Sequence, residues 1–321
     1  MRFIAEDLGH RCISAIDEFE HVSIDRGAID RLARKLSTES LDTPRWEHAA
    51  FPAQAGDILD AVVWLGNSLN FCYWVPSGTS MWGIEIGGRR EVDAFAVFGL
   101  LHEALREGVD LCDGAVLRSE IPAKLFARGE GFLPLLDERV EILAAIGRVL
   151  ENSFDGRLEN AFTAAGNDAL VLAEFLTTNF PSFRDVCDYK GLSIPLCKRA
   201  QLAAGMLHGA RCARGASGML RINRLTVYAD YMIPVTLRRL GIFEYSERLA
   251  DIVDNRQVME SGCEEESEIR IGTVAAGEMI IGEARRLGLD LNAVQLDYWL
   301  WRTGFSLESA SPHHRVITTC Y

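Results

Sequence analysis

Apolar residues recur at helical spacing along most of the chain. Ile29, Leu32, Ala33 and Leu36 share one face behind Asp25, a residue type suited to a helix start, which predicts a first amphipathic helix. Asp57 is placed to cap a second, more buried helix running through Trp64 and Leu65. The same spacing returns at Phe95, Gly99, His102 and Leu105, at Val140, Leu143, Ala144, Gly147 and Leu150, and at Ala200, Ala203, Leu207 and Ala210. Pro234 suits the first turn of a helix stopping near Gly241, and Ile269, Thr273, Ala276, Ile280 and Ala284 carry another to Gly288.

Alternation of period two is scarce. Trp82, Ile84 and Ile86 alternate up to Gly87 and Gly88, which predicts a hairpin, and Val22 and Ile24 form a weaker extended stretch. Strand and helix patterns do not take turns, so a parallel α/β sheet is disfavoured. The expectation is an all-α protein, mainly helical with at most a small β-hairpin. No internal repeat is found, and residues 128–131 and 255–266 read as loops, so one domain over residues 1–321 is expected.

Composition narrows the partners. The chain has 321 residues, 48% of them apolar, enough for a continuous core. Its net charge of -13, with no basic run of five, argues against extended nucleic acid. A small anion remains open, because one monophosphate needs only a cation or two and some backbone N–H groups. Eight scattered cysteines contain no C-x-x-C pair, which argues against a zinc framework and for reduced thiols in a cytoplasmic protein. No signal-like start or membrane-length apolar run is found, so a soluble protein with no membrane partner is expected.

Four segments are richer in chemistry than core building requires. Residues 67–74 set Asn67 and Asn70 beside Phe71, Tyr73 and Trp74, either a core turn or a surface for a flat heterocycle. Lys198 and Arg199 open a helix after Pro195, where they are either solvated or suited to a phosphate. Asp230 lies between Tyr228 and Tyr231 just before Pro234, and can cap that helix or stabilise cationic character at a sugar carbon. Asp297 falls among Tyr298, Trp299 and Trp301 on an otherwise apolar helix, so it needs a partner, either Arg270 or the donor edge of a bound base. His313, His314 and Arg315 lack a third ligand at a convincing spacing, so no metal is expected.

The order of these motifs resembles the queuosine salvage family. The matching stretches are Ser68-Leu69-Asn70-Phe71 with Trp74, residues 180–185, Lys198-Arg199-Ala200-Gln201, and Ala229-Asp230-Tyr231 with Pro234. They continue through Glu268-Ile269-Arg270, Leu296-Asp297-Tyr298 with Leu300-Trp301, and His314-Arg315 near Tyr321. The resemblance implies a fold akin to helix-hairpin-helix DNA glycosylases, hydrolysis of queuosine 5′-monophosphate to release queuine, and no cofactor. It carries the catalytic aspartate to Asp230 and the active-site lysine to Lys198. His21, Asn70, Phe71, Trp74, Tyr231, Glu268, Arg270, Asp297 and Trp301 are the candidate substrate-binding residues. Asp297 and Glu268 are assigned to the donor edge of the base or to the ligand's ammonium group, Tyr231 and Phe71 to stacking, and Lys198 to the phosphate or to Asp230. Asn67 stands where the family usually has an acid, and Val92-Asp93-Ala94-Phe95 replaces its tryptophan-rich segment, which weakens expectations there. The rival readings are a helical DNA-repair glycosylase, which needs a basic face, and a queuine carrier, which needs a pocket but not Asp230.

Overall fold

The computed structural model describes residues 5–307 and 312–321, in which fourteen α-helices are joined by four two-stranded pairs and short 3-10 turns. The mainly helical expectation holds. Asp25 Oδ1 accepts the backbone N–H groups of Gly27 and Ala28 at 2.6 and 3.1 Å, and helix Arg26–Leu36 buries the predicted face. Helix Asp57–Ser68 forms as predicted, but Gly56 occupies its cap position and Asp57 is its first residue. Helices Asp93–Arg106, Leu136–Ser153, Lys198–Ala213, Ile233–Arg239 and Glu264–Arg286 match the remaining periodic stretches.

Strands Gly83–Ile86 and Arg89–Val92 pair antiparallel around Gly87 and Gly88, whose φ values of 60° and 80° suit a two-residue hairpin turn. The weaker stretch Val22–Ile24 pairs with Phe243–Tyr245, some two hundred residues away in the chain. The expected loop over residues 255–266 needs correction. Glu264 already begins a helix, and Val258–Met259 pairs in parallel with Arg315–Val316. That pairing fixes the segment carrying His313 and Arg315.

Two clusters of buried apolar side chains supply the core. One gathers Leu59, Val63, Leu101, Leu176 and Ala203 around helices Asp57–Ser68, Asp93–Arg106, Ala169–Asn179 and Lys198–Ala213. The other gathers Leu32, Ile233, Ile269, Ile280 and Leu300 around Glu264–Arg286, with Arg26–Leu36, Ile233–Arg239 and Ala293–Leu307 packed nearby. Each fully buried Leu or Ile contributes about 1.5–3 kcal/mol, so both clusters are strongly held. Side chains of both line one cavity, including Phe51, Phe98 and Met206 from the first and Tyr231 and Trp301 from the second. Among the described residues no helix is long and apolar enough to cross a membrane.

Candidate active site

The cavity has a volume of about 590 Å³. Its walls are mostly aromatic: Trp46, Phe51, Phe95, Phe98 and Tyr298 join Phe71, Tyr73, Trp74, Tyr231 and Trp301. Such walls suit a flat ring. Polar groups enter at a few points, chiefly Asp230, Asp297, Lys198, Asn70, His313, Arg302 and Arg315.

Asp230 closes a turn with one carboxylate oxygen and lies on the cavity wall. Its Oδ1 accepts from the N–H groups of Met232 and Ile233 at 2.8 and 3.0 Å, closing the turn into helix Ile233–Arg239. Its Oδ2 has no hydrogen-bond partner among the described residues and is left to the cavity. Burial pushes the Asp230 carboxyl above its ordinary range, while the charge of Lys198 and the two N–H groups pull the other way.

Asp297 is 8% exposed and accepts the Tyr228 N–H through Oδ1 at 2.8 Å. Arg270 is not its partner, which overturns the structural alternative drawn from the sequence. Burial, then the nearby charge of Asp230, raise the Asp297 carboxyl well above the usual carboxylate range. Gly205 makes room for Tyr228 here, because a Cβ on it would meet the Tyr228 hydroxyl at 1.9 Å.

Lys198 is 5% exposed, and its side chain lines the cavity. Burial lowers its proton affinity, opposed by the charge of Asp230. The phosphate expected at this helix start meets an obstacle. Cys197 adopts the left-handed φ of 46°, and the Lys198 N–H behind it is donated to Asp185 Oδ2 at 3.0 Å. Arg199 is turned inward onto the carbonyls of Ser68 and Ser182. Neither the Lys198 backbone N–H nor the Arg199 guanidinium is free for a phosphate.

Arg270 and Glu268 lie behind the cavity. Arg270 donates to both oxygens of Asp185 at 2.8 and 2.7 Å, donates to the Ala229 carbonyl at 3.2 Å, and covers the Tyr321 ring at 4.2 Å. It therefore joins the start of the Lys198 helix to the segment carrying Asp230. Both oxygens of Glu268 are occupied, by the N–H groups of Glu20, His21 and Val22 and by the Tyr189 hydroxyl. The assignment of Glu268 to base or ammonium is thus corrected: its carboxylate anchors the strand Val22–Ile24. His21 is held beside it by Glu268 and Ser246, away from the cavity walls.

Asn70, Trp74, Tyr231 and Trp301 line the cavity as the sequence reading placed them. Phe71 reaches it too, but the guanidiniums of Arg139 and Arg199 already lie over its ring at 4.2 and 5.1 Å. Arg139, fully buried, also donates to the carbonyls of Leu69, Phe71 and Cys72 and so holds this irregular segment in place. Val92, Asp93, Ala94 and Phe95, where the family pattern is broken, nevertheless form wall, with Asp93 at a φ of 56°.

The sequence reading missed His313, Arg302 and Arg315 as wall residues. Arg315 and Tyr298 lay inside quoted motifs, so a signal existed for them; Trp46 and Phe51 lie in a stretch without periodicity and gave none. Arg315 lies over Trp74 at 5.2 Å and Arg302 over Tyr298 at 5.5 Å, and neither forms an ion pair with a described residue.

These features define a class: a mainly helical protein with two buried carboxyl groups in an aromatic cavity. The chain belongs to the queuosine salvage protein family, whose pattern it matches over residues 54–321. It is 34% identical over 311 residues to a protein of Sphaerobacter thermophilus, covering 95% of each chain. It is 36% identical over 259 residues to one of Dictyostelium discoideum, covering 79% of this chain and 76% of that one. With a protein of Mus musculus it shares 27% identity over 295 residues and 87% of each chain. Each of these relatives bears the description queuosine 5′-phosphate N-glycosylase/hydrolase.

Proposed function

We propose that this chain hydrolyses the N-glycosidic bond of queuosine 5′-monophosphate and releases queuine, in the cytoplasm and without a cofactor. The observation that carries the reading is Asp230: one oxygen fixed by two backbone N–H groups, the other open on a cavity shared with Lys198 and Asp297. Breaking a ribosyl C–N bond builds positive charge on the sugar and negative charge on the departing base. Asp230, held in a fixed pose and with its charged form favoured by Lys198, answers the first demand as electrostatic partner or nucleophile.

The second demand falls to Asp297. Queuine is a 7-deazapurine, so the ring position that purine hydrolases can protonate is a carbon, and help must reach the pyrimidine ring. Burial and the charge of Asp230 favour the protonated form of Asp297, and a neutral carboxyl donates where an ionised one only accepts. This revises its part in base recognition from acceptor to donor. Arg302 and Arg315 take the phosphate role considered for Lys198 and Arg199, since their guanidiniums stand at the cavity without an ion pair among the described residues. An aspartate before a helix and beside the cavity, as Asp230 is, also supports the likeness to helix-hairpin-helix DNA glycosylases.

The test is incubation of purified protein with queuosine 5′-monophosphate and detection of free queuine by mass spectrometry. Release that disappears with Asp230→Asn is expected. Queuine binding without any release would instead make the protein a carrier.

A further inference from the structure

His313 lies on the cavity wall, 9% exposed, with its ring centre 4.7 Å from that of Tyr231. Its Nδ1 is 2.7 Å from the His314 carbonyl oxygen. A carbonyl oxygen can only accept, so Nδ1 carries the hydrogen and Nε2 is left as an acceptor. No described residue hydrogen-bonds to Nε2. Burial, with the charges of Arg315 and Arg256 adding to it, pushes the His313 pKa down to about 4, so the ring is neutral at pH 7. The cavity wall thus carries a buried acceptor whose tautomer is set by the backbone.

Its place in the site says what that acceptor meets. His313 packs at a tilt against Tyr231, the neighbour of Asp230, and stands two residues from Arg315. On the glycosylase reading, which this inference rests on, Asp230 faces the sugar carbon being cleaved and Arg315 the phosphate. In a nucleoside 5′-monophosphate the ribose alone is bonded to both the base and the phosphate. A ring on the same cavity wall, packed against the residue next to Asp230 and two residues before Arg315, is placed to meet the ribose, whose donors are hydroxyl groups. We propose that His313 Nε2 accepts a hydrogen bond from a ribose hydroxyl of the substrate and selects ribonucleotides over their deoxy counterparts. A substrate lacking that hydroxyl leaves a buried acceptor unpaired, which disfavours it by roughly tenfold or more.

The experiment compares kcat/KM for queuine release from the ribo, 2′-deoxy and 3′-deoxy substrates. The enzymes are the wild type, His313→Phe, which keeps a ring against Tyr231 without the acceptor, and His313→Gln, which supplies a side-chain carbonyl. The wild type is expected to lose about tenfold or more on one deoxy substrate. His313→Phe should show no such loss, and His313→Gln should regain part of it. If His313→Phe does not fold, His313→Ala serves in the same comparison. Equal deoxy penalties in the wild type and the folded acceptor-less variant would overturn the inference alone. Failure of the wild type to release queuine from the ribo substrate would overturn the glycosylase reading and this inference with it.

Discussion

Asp185 and Glu268 are buried with both carboxylate oxygens engaged, whereas Asp230 and Asp297 each leave one oxygen open to a shared cavity. Arg270 links the first pair to the second: it pairs with Asp185 and donates to the carbonyl of Ala229, the neighbour of Asp230. Burial pushes the Asp185 carboxyl up, but the charge and hydrogen bonds of Arg270 outweigh it, and the net shift is downward. At Asp297 no cation is hydrogen-bonded to the carboxyl, a second carboxylate adds to the effect of burial, and together they outweigh the charge of Lys198 and the Tyr228 N–H, so the shift is upward. Desolvation is common to both, so the partner decides the sign. A satisfied carboxylate builds structure; an unsatisfied one beside a cavity is held ready for a ligand.

The comparison is broken most severely by Asp185→Asn, which leaves the buried Arg270 guanidinium without its charge partner. A loss of about 3–5 kcal/mol in unfolding free energy is expected in denaturant titration, and a change below about 1 kcal/mol would show the pair to be dispensable. The pH dependence follows from the sign of the shift. The Asp185 carboxyl is depressed in the folded state, so its contribution is complete above the ordinary carboxylate pKa and is lost as pH falls through the lowered value.

Asp230→Asn should leave the fold standing, because an amide oxygen can still accept from Met232 and Ile233. Turnover should fall by about two to three orders of magnitude, as when one preorganised transition-state partner is removed. A melting temperature far below wild type with normal turnover in the folded fraction would return Asp230 to the class of Asp185.

The double variant Arg302→Ala/Arg315→Ala should shrink the preference for the 5′-monophosphate over the free nucleoside by about tenfold or more, roughly 1.4 kcal/mol. Lys198→Ala, by contrast, should slow both substrates alike. A Lys198 variant that loses only the phosphate preference would reverse that assignment.

The smallest effect is expected for Asp297→Asn and has the sign opposite to Asp185. A carboxyl whose folded pKa is raised stabilises most when protonated, so wild-type stability declines as pH rises from the unfolded pKa towards the raised one. The asparagine variant has no such decline. Melting curves from pH 4 to 8 should therefore show the variant gaining on the wild type as pH rises, and a constant difference would mean that Asp297 is not held protonated.

Most helices were legible because their apolar faces are local. Asp25 and the residues that follow it needed only eleven residues of sequence to declare a capped amphipathic helix. The cavity residues were legible as types out of place, such as a carboxyl among aromatics at Asp297 and an acid before proline at Asp230. Partners were not. Asp185 and Arg270 are 85 residues apart, and Glu268 meets the Val22 N–H across 246 residues, so no spacing rule could join them. Glu268 and Arg270 therefore read as ligand contacts when they are the framework behind the site. His313 was weighed only as a metal ligand, although the bond that fixes its tautomer comes from the very next residue.

Arg139 has a consequence for the order of assembly. Residues 69–72 form no helix or strand, and the carbonyls of Phe71 and Cys72 depend on one guanidinium that arrives from helix Leu136–Ser153. Buried carbonyls without donors are costly, so this stretch of wall stays unsettled until that helix docks. On refolding from denaturant, recovery of ligand binding should lag the return of helical circular dichroism, and Arg139→Met should lengthen the lag.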